Sequence, residues 1–255
     1  MSADYRIVIP ARMASQRLPG KPLVTINGRT LVEHVYRRAR ESSASSIVIA
    51  TDAPEILAAA RAFGAEAVMT SAGHQSGSDR IAECIDIMGL RDDELVVNLQ
   101  GDEPLMPAAC LDQAAEMLQK VPDADVASLF WPIESAEEVE DSNVVKVVTD
   151  RSGRALYFSR SVIPHPRNMS IRAAMQEGAA WHRHIGLYAY RAGALRAFTA
   201  IPASPLERLE KLEQLRFLEA GKVIRMERAC SFIPPGIDTP EDLERIRNQV
   251  PGERD

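Results

Sequence analysis

Arg12, Arg17 and Lys21 crowd into one short loop, and that loop follows directly on an apolar run, Tyr5-Arg6-Ile7-Val8-Ile9. Three cations beyond a buried strand are suited to the oxygens of a polyphosphate. In an open α/β sheet, the crevice beyond the carboxyl ends of the strands is also where ligands bind. The loop is not a P-loop, because Ser15 and Pro22 stand where that motif requires Gly and Ser or Thr. An ordinary solvated basic loop has the same spacing. A second strand-like run, Leu95 to Gln100, empties into Gly101-Asp102-Glu103-Pro104. A carboxylate there is a natural ligand for Mg²⁺, which takes one or two carboxylates plus phosphate oxygens and water. Asp238 also follows a strand-like approach and is the candidate second acid. The plain alternatives are a turn-forming Asp102 and an Asp238 that favours a helix dipole.

Further along, Trp181-His182-Arg183-His184-Ile185-Gly186-Leu187-Tyr188-Ala189-Tyr190 alternates. As a strand it places His182, His184, Gly186, Tyr188 and Tyr190 on one face and the apolar residues on the other. His-x-His can begin a zinc site, but no third ligand stands at a telling spacing. Phenol and imidazole groups suit the hydroxyls of a sugar better. Glu213 and Gln214 sit between leucines, and a solvated helical stretch explains them by itself. In His74-Gln75-Ser76-Gly77-Ser78-Asp79-Arg80, Ser78 reads as the N-cap of a helix.

The elements that must position these residues alternate along the first half. Strands are predicted at Arg6 to Pro10, Ser46 to Asp52, Ala65 to Thr70 and Leu95 to Gln100. Helices are predicted around Leu31 to Glu41, Pro54 to Phe63 and Arg80 to Met88. This rhythm implies a mostly parallel sheet covered on both faces. After about Asp125 the pattern changes to strands at Val126 to Ile133, Val144 to Thr149, Ala155 to Arg160 and His184 to Tyr190, with Asp150-Arg151-Ser152-Gly153 as a hairpin turn. This predicts a small antiparallel extension or subdomain over residues 126–200, inside a single domain of residues 1–255. His165 to Ala180 reads as a mobile connection. One helix is predicted from the Ser204, Pro205, Glu207 capping box to Gly221, then a strand from Val223 to Ala229. Thr239 and Asp242 cap a final helix through about Gln249.

Composition narrows the class. Of the 255 residues 45% are hydrophobic and 26% charged, as in an ordinary globular protein, and the net charge of -6 disfavours nucleic acid and anionic membranes as partners. No apolar run is long enough to span a bilayer and no secretory leader is apparent, which predicts a cytoplasmic protein. Cys84, Cys110 and Cys230 are scattered, so no disulfide framework or thiolate zinc site is expected.

The string Arg-x-x-Ser-x-Arg-Leu-Pro-Gly-Lys-Pro-Leu from Arg12 to Leu23 resembles the signature loop of the CMP-KDO synthetases, the 3-deoxy-manno-octulosonate (KDO) cytidylyltransferases of Gram-negative lipopolysaccharide synthesis. Further ordered motifs share the resemblance: His-Gln-Ser-Gly-Ser-Asp-Arg, Gly-Asp-Glu-Pro, the His184 to Arg191 segment, Leu-Glu-Gln-Leu-Arg and Gly-Ile-Asp-Thr-Pro-Glu-Asp. The chain departs at Met13, Gln16, Ser78, Asp79 and His165-Pro166.

The resemblance implies a Rossmann-like nucleotidyltransferase fold of the nucleotide-diphospho-sugar transferase type, joining CTP and KDO to give CMP-KDO and pyrophosphate. It implies catalytic roles for Arg12, Lys21, Asp102 and Asp238, with Mg²⁺ on the two acids. It assigns Pro10, Ala11, Arg12, Arg17, Lys21, Ser76, Gly77, Arg80 and Gln100 to the nucleotide. Gln100, Arg160, His184, Tyr188, Glu213 and Gln214 fall to the sugar, Arg160 facing its carboxylate. It also implies a homodimer formed through the antiparallel region. The alternatives are a related transferase acting on 8-amino-KDO or sialic acid, and a non-catalytic nucleotide-binding regulator.

Overall fold

The computed structural model describes residues 3–14, 17–74, 76–247 and 249. Ser15, Gln16 and Gln75 of the motifs above lie outside them. The first half is built as anticipated: β1 (Tyr5–Ala11), a short ribbon of β2 (Thr25–Ile26) and β3 (Arg29–Thr30), α1 (Leu31–Ala39), β4 (Ser46–Thr51), α2 (Pro54–Ala62), β5 (Glu66–Met69), α3 (Gly77–Ile87), β6 (Leu95–Asn98) and α4 (Ala108–Lys120). The second half runs β7 (Val126–Pro132), α5 (Ala136–Glu140), β8 (Lys146–Thr149), β9 (Ala155–Ser159), α6 (Ile171–Gln176), β10 (His182–Arg191), α7 (Ala192–Thr199), α8 (Pro205–Glu210), α9 (Gln214–Glu219), β11 (Ile224–Arg228) and α10 (Pro240–Arg247).

Among the described residues, nine strands form one sheet along the path β11-β7-β10-β6-β1-β4-β5, with β8 and β9 attached beside β10. β1 is parallel to β4 and β6, and β4 to β5, whereas β10 runs antiparallel to both β6 and β7. Ile7, Ile9 and Val97 pack on one face of the sheet and Val8, Val48 and Val96 on the other. Burial on both faces explains why these strands read as unbroken apolar runs. The Asp150 to Gly153 turn joins β8 to β9 as expected, with the Asp150 carboxylate accepting from the amides of Ser152 and Arg154.

Three expectations need correction. Ser76, not Ser78, caps α3: its hydroxyl accepts from the Asp79 amide while the Asp79 carboxylate accepts from the Ser76 amide. The helix predicted from Ser204 to Gly221 is two helices. The capping box starts α8, but Lys211 takes a left-handed conformation (φ 55°) and α9 begins anew at Gln214. The break turns Leu212 and Leu215 inward while Leu209 stays 80% exposed. The connection after His165 carries α6, capped by Ser170 and followed by the buried Trp181. Cys84 and Cys110 are buried thiols and Cys230 is an exposed one, its Sγ 3.6 Å from that of Cys110. No helix among the described residues is long and apolar enough to cross a membrane.

Candidate active site

β1 and β6 lie side by side, so the loops leaving their carboxyl ends meet over the sheet. Gly20 sits at φ 67°, a conformation open to glycine at no steric cost. It introduces the single turn Lys21–Leu23 and so aims Lys21 inward; the Lys21 side chain is only 12% exposed. Its ammonium Nζ lies 2.6 Å from Asp102 Oδ2 and 3.0 Å from Asp238 Oδ1. Asp238 is delivered by a segment pressed against the Asp102 loop, where the Ile237 amide donates to the Asp102 carbonyl at 2.9 Å. Arg17 pairs with the other oxygen of Asp238 at 2.9 Å, largely in solvent.

These groups border a cavity of about 700 Å³. It brings together Pro10, Ala11, Arg12, Arg17, Lys21, Ser76, Gly77, Arg80, Gln100, Asp102 and Asp238, which are all the predicted nucleotide, catalytic and metal residues. Gly77 opens α3, so the amino terminus of an 11-residue helix faces the space, a favourable place for phosphate oxygens. Arg80 is buried, held by Asp52 at 2.7 Å and by the Thr70 hydroxyl. Glu103 lies below the loop; burial first, and Asp102 second, pushes its carboxyl up to about 8.

A smaller cavity of about 160 Å³ adjoins the first, sharing Gly77 and Gln100. Tyr188, Glu213 and Gln214 line it, together with Ser78, Asn98, Tyr190 and Phe217, which the sequence analysis did not assign to a ligand. Asn98 is the signal that was available: an amide inside the apolar run of β6 needs a reason to be there. Asn98 Oδ1 and Glu213 Oε1 are buried without a well-aligned hydrogen bond among the described residues, although the Asn98 side chain lies beside the Tyr190 phenol and the Glu213 carboxyl beside the Ser78 hydroxyl. Burial raises the Glu213 carboxyl above its ordinary range and raises the Tyr188 and Tyr190 phenols. The space therefore holds neutral hydroxyls beside buried acceptors with spare capacity, which a polyhydroxylated ligand can fill.

Two predicted sugar contacts are placed elsewhere. Arg160 spends its guanidinium on the carbonyls of Glu210 (2.8 Å) and Ser142 (3.0 Å) and lines neither cavity. His184 stands behind Gln214, its Nδ1 3.5 Å from the Gln214 amide nitrogen and its Nε2 3.1 Å from the Ser128 hydroxyl. His182 packs at a tilt against Phe130, ring centres 4.2 Å apart, and no three His, Cys, Asp or Glu side chains converge as a metal cluster among the described residues.

Whether Asp102 and Asp238 fit a hard divalent ion is answered by Lys21. Its ammonium already touches both carboxylates, so the two acids converge on one cation-sized position at the cavity floor. Two carboxylates open to phosphate oxygens and water are the donor set that Mg²⁺ accepts.

A mostly parallel sheet with a cationic, acid-floored cavity at the ends of β1 and β6 defines a nucleotidyltransferase. Residues 6–224 match the cytidylyltransferase family. A 3-deoxy-manno-octulosonate cytidylyltransferase from Thioalkalivibrio sulfidiphilus is 50% identical across 95% of this chain and 97% of that protein. One from Serratia proteamaculans is 49% identical across 98% of this chain and 100% of that protein. The solved structure of a CMP:2-keto-3-deoxy-manno-octonic acid synthetase complexed with CTP superposes with a TM-score of 0.88 at 40% identity, covering 97% of this chain and 98% of that one. A 4-diphosphocytidyl-2C-methyl-D-erythritol synthase, 14% identical with a TM-score of 0.62 over 97% of this chain and 98% of that one, shares the fold. The chain belongs to the 3-deoxy-manno-octulosonate cytidylyltransferase family.

Proposed function

We propose that this chain transfers CMP from CTP to the anomeric hydroxyl of KDO, giving CMP-KDO and pyrophosphate. The observation that carries the reading is the junction of the two cavities. One is lined by cations and floored by two acids; the other is rich in hydrogen-bond acceptors; and they meet at Gln100 and Gly77. A triphosphate in the first and a sugar acid in the second bring the α-phosphorus and a hydroxyl together at that border. The hydroxyl oxygen attacks the α-phosphorus, the bond to the β-phosphate oxygen breaks, and the hydroxyl proton is released. Relatives near 50% identity that bear this activity in their names support the assignment.

Lys21 and Arg12 oppose the charge that develops on the triphosphate and on the departing pyrophosphate. Arg17 steadies Asp238. The α3 amino terminus and Arg80 take further phosphate or ribose oxygens, while Tyr188, Glu213 and Gln214 orient the sugar. Mg²⁺ is part of the proposal: on Asp102 and Asp238 it supplies charge neutralisation and a lowered pKa for the attacking hydroxyl. The reading extends to a homodimer formed through residues 126–200 and to a cytoplasmic enzyme serving lipopolysaccharide synthesis in a Gram-negative bacterium. CTP labelled on its α-phosphorus tests the bond-making step. The label must appear in the sugar nucleotide; label left in free CMP or CDP, with the sugar carrying unlabelled phosphate, refutes the proposed site of attack.

A further inference from the structure

Ser128 lies in the middle of β7, fully buried, between β10 and β11. Opposite it the β7 to β10 register shifts between Ile185 and Tyr188: three steps along β10 answer one along β7. The two extra residues leave the alternation of faces intact, so Tyr188 stays on the side of His184. The Ser128 hydroxyl donates to the Ile185 carbonyl at 3.0 Å and also lies 3.1 Å from His184 Nε2.

A hydroxyl carries one proton. With that proton directed at the Ile185 carbonyl, the bond to His184 is assigned as Nε2–H donating to the Ser128 oxygen. The ring is neutral, because burial pushes the imidazole down to about 3, so Nδ1 carries a bare lone pair. The amide nitrogen of Gln214 faces that lone pair at 3.5 Å. We propose that Ser128 is a positioning residue for the sugar: by fixing the Nε2–H tautomer of His184 it turns the Gln214 amide, so that the carbonyl oxygen Oε1 faces the smaller cavity as an acceptor. There Oε1 joins the buried acceptors Glu213 Oε1 and Asn98 Oδ1 in a wall that rewards a ligand with several hydroxyl donors. Without the serine, His184 is free to protonate Nδ1, the amide reverses, and an N–H replaces an acceptor in that wall.

This inference rests on the cavity being the KDO site, so its test has an arm that does not. Nitrogen-15 spectra of histidine-labelled resting protein, with His184 assigned by its absence in His184→Gln, report the tautomer directly. The wild type is expected to show Nε2–H and Ser128→Ala to show Nδ1–H. In steady-state assays Ser128→Ala should raise the KM for KDO about 10-fold, with the KM for CTP and kcat at saturation unchanged, and Ser128→Thr should recover both tautomer and KM. A wild-type ring protonated on Nδ1 overturns the proposal, even if neither variant folds. So does an unchanged KDO KM in Ser128→Ala, or an equal rise for CTP and KDO. Absence of any turnover with KDO in the wild type instead refutes the functional reading and leaves the tautomer result standing.

Discussion

Gly236 lies so close to Asp102 that a Cβ at position 236 would stand 2.9 Å from the Asp102 carbonyl oxygen. That approach, together with the Ile237 amide bond to the same carbonyl, sets where Asp238 projects. Gly236→Ala is therefore expected to push the two acid-bearing loops apart and to cost about 1–3 kcal/mol of stability from overpacking. The Mg²⁺ concentration for half-maximal activity should rise in the same variant. Unchanged metal dependence in a folded Gly236→Ala protein would show that the separation of Asp102 and Asp238 is not critical.

Lys21 is the only side chain among the described residues that contacts both carboxylates. Removing a positioned cation from developing phosphate charge costs on the order of 10²–10³ in turnover. Lys21→Ala should lose kcat to that extent while the KM for KDO changes little. A variant with normal kcat and only weaker KDO use would move Lys21 out of the chemical step.

Glu213 gives a pH signature in stability. Burial raises its carboxyl in the folded state, so between the unfolded and folded values the native protein holds the extra proton. Stability then falls as pH rises through that window and stays lower above it. Glu213→Gln, which cannot ionise, is expected to be more stable than wild type at neutral pH, with the gap closing near pH 4. Urea midpoints across pH measure this; a gap that widens toward acid would contradict it. The same variant should use KDO poorly.

His184 has the opposite sign. Its folded value of about 3 lies below the ordinary 6.5, so the unfolded chain binds the proton that the native state refuses. Stability from this group is complete above 6.5 and is lost as pH falls toward 3, at up to about 1.4 kcal/mol per pH unit. His184→Gln should flatten the acid limb of the urea midpoint curve; an unchanged limb would mean that the ring is protonated without penalty in the native protein.

Much of the site was legible because strand ends and turn residues announce themselves locally. The run from Arg12 to Lys21, Asp102 after β6, and Asp238 before α10 each carry a chemical group at an element boundary, and all converge on one cavity. The α3 cap was readable too, since only Ser76 has an acid three residues on, at Asp79. The break between α8 and α9 was not, because Leu209 to Arg216 contains strong helix formers and neither Gly nor Pro. Only the demand to bury Leu212 and Leu215, a tertiary matter, bends the chain at Lys211. Arg160 and His184 lie outside the lining of both cavities, for a related reason. Alternation gives the face a side chain occupies, not what stands in front of it, and Gln214 stands in front of His184.

The most direct measurement is pyrophosphate release from CTP with Mg²⁺, comparing KDO, 8-amino-KDO and sialic acid as acceptors, with UTP and EDTA as controls. Release that requires CTP, metal and KDO, and that falls at least about 100-fold in a folded Asp102→Asn protein, is the predicted result. Folded wild-type protein that binds CTP yet releases no pyrophosphate with any of these acceptors would contradict the account.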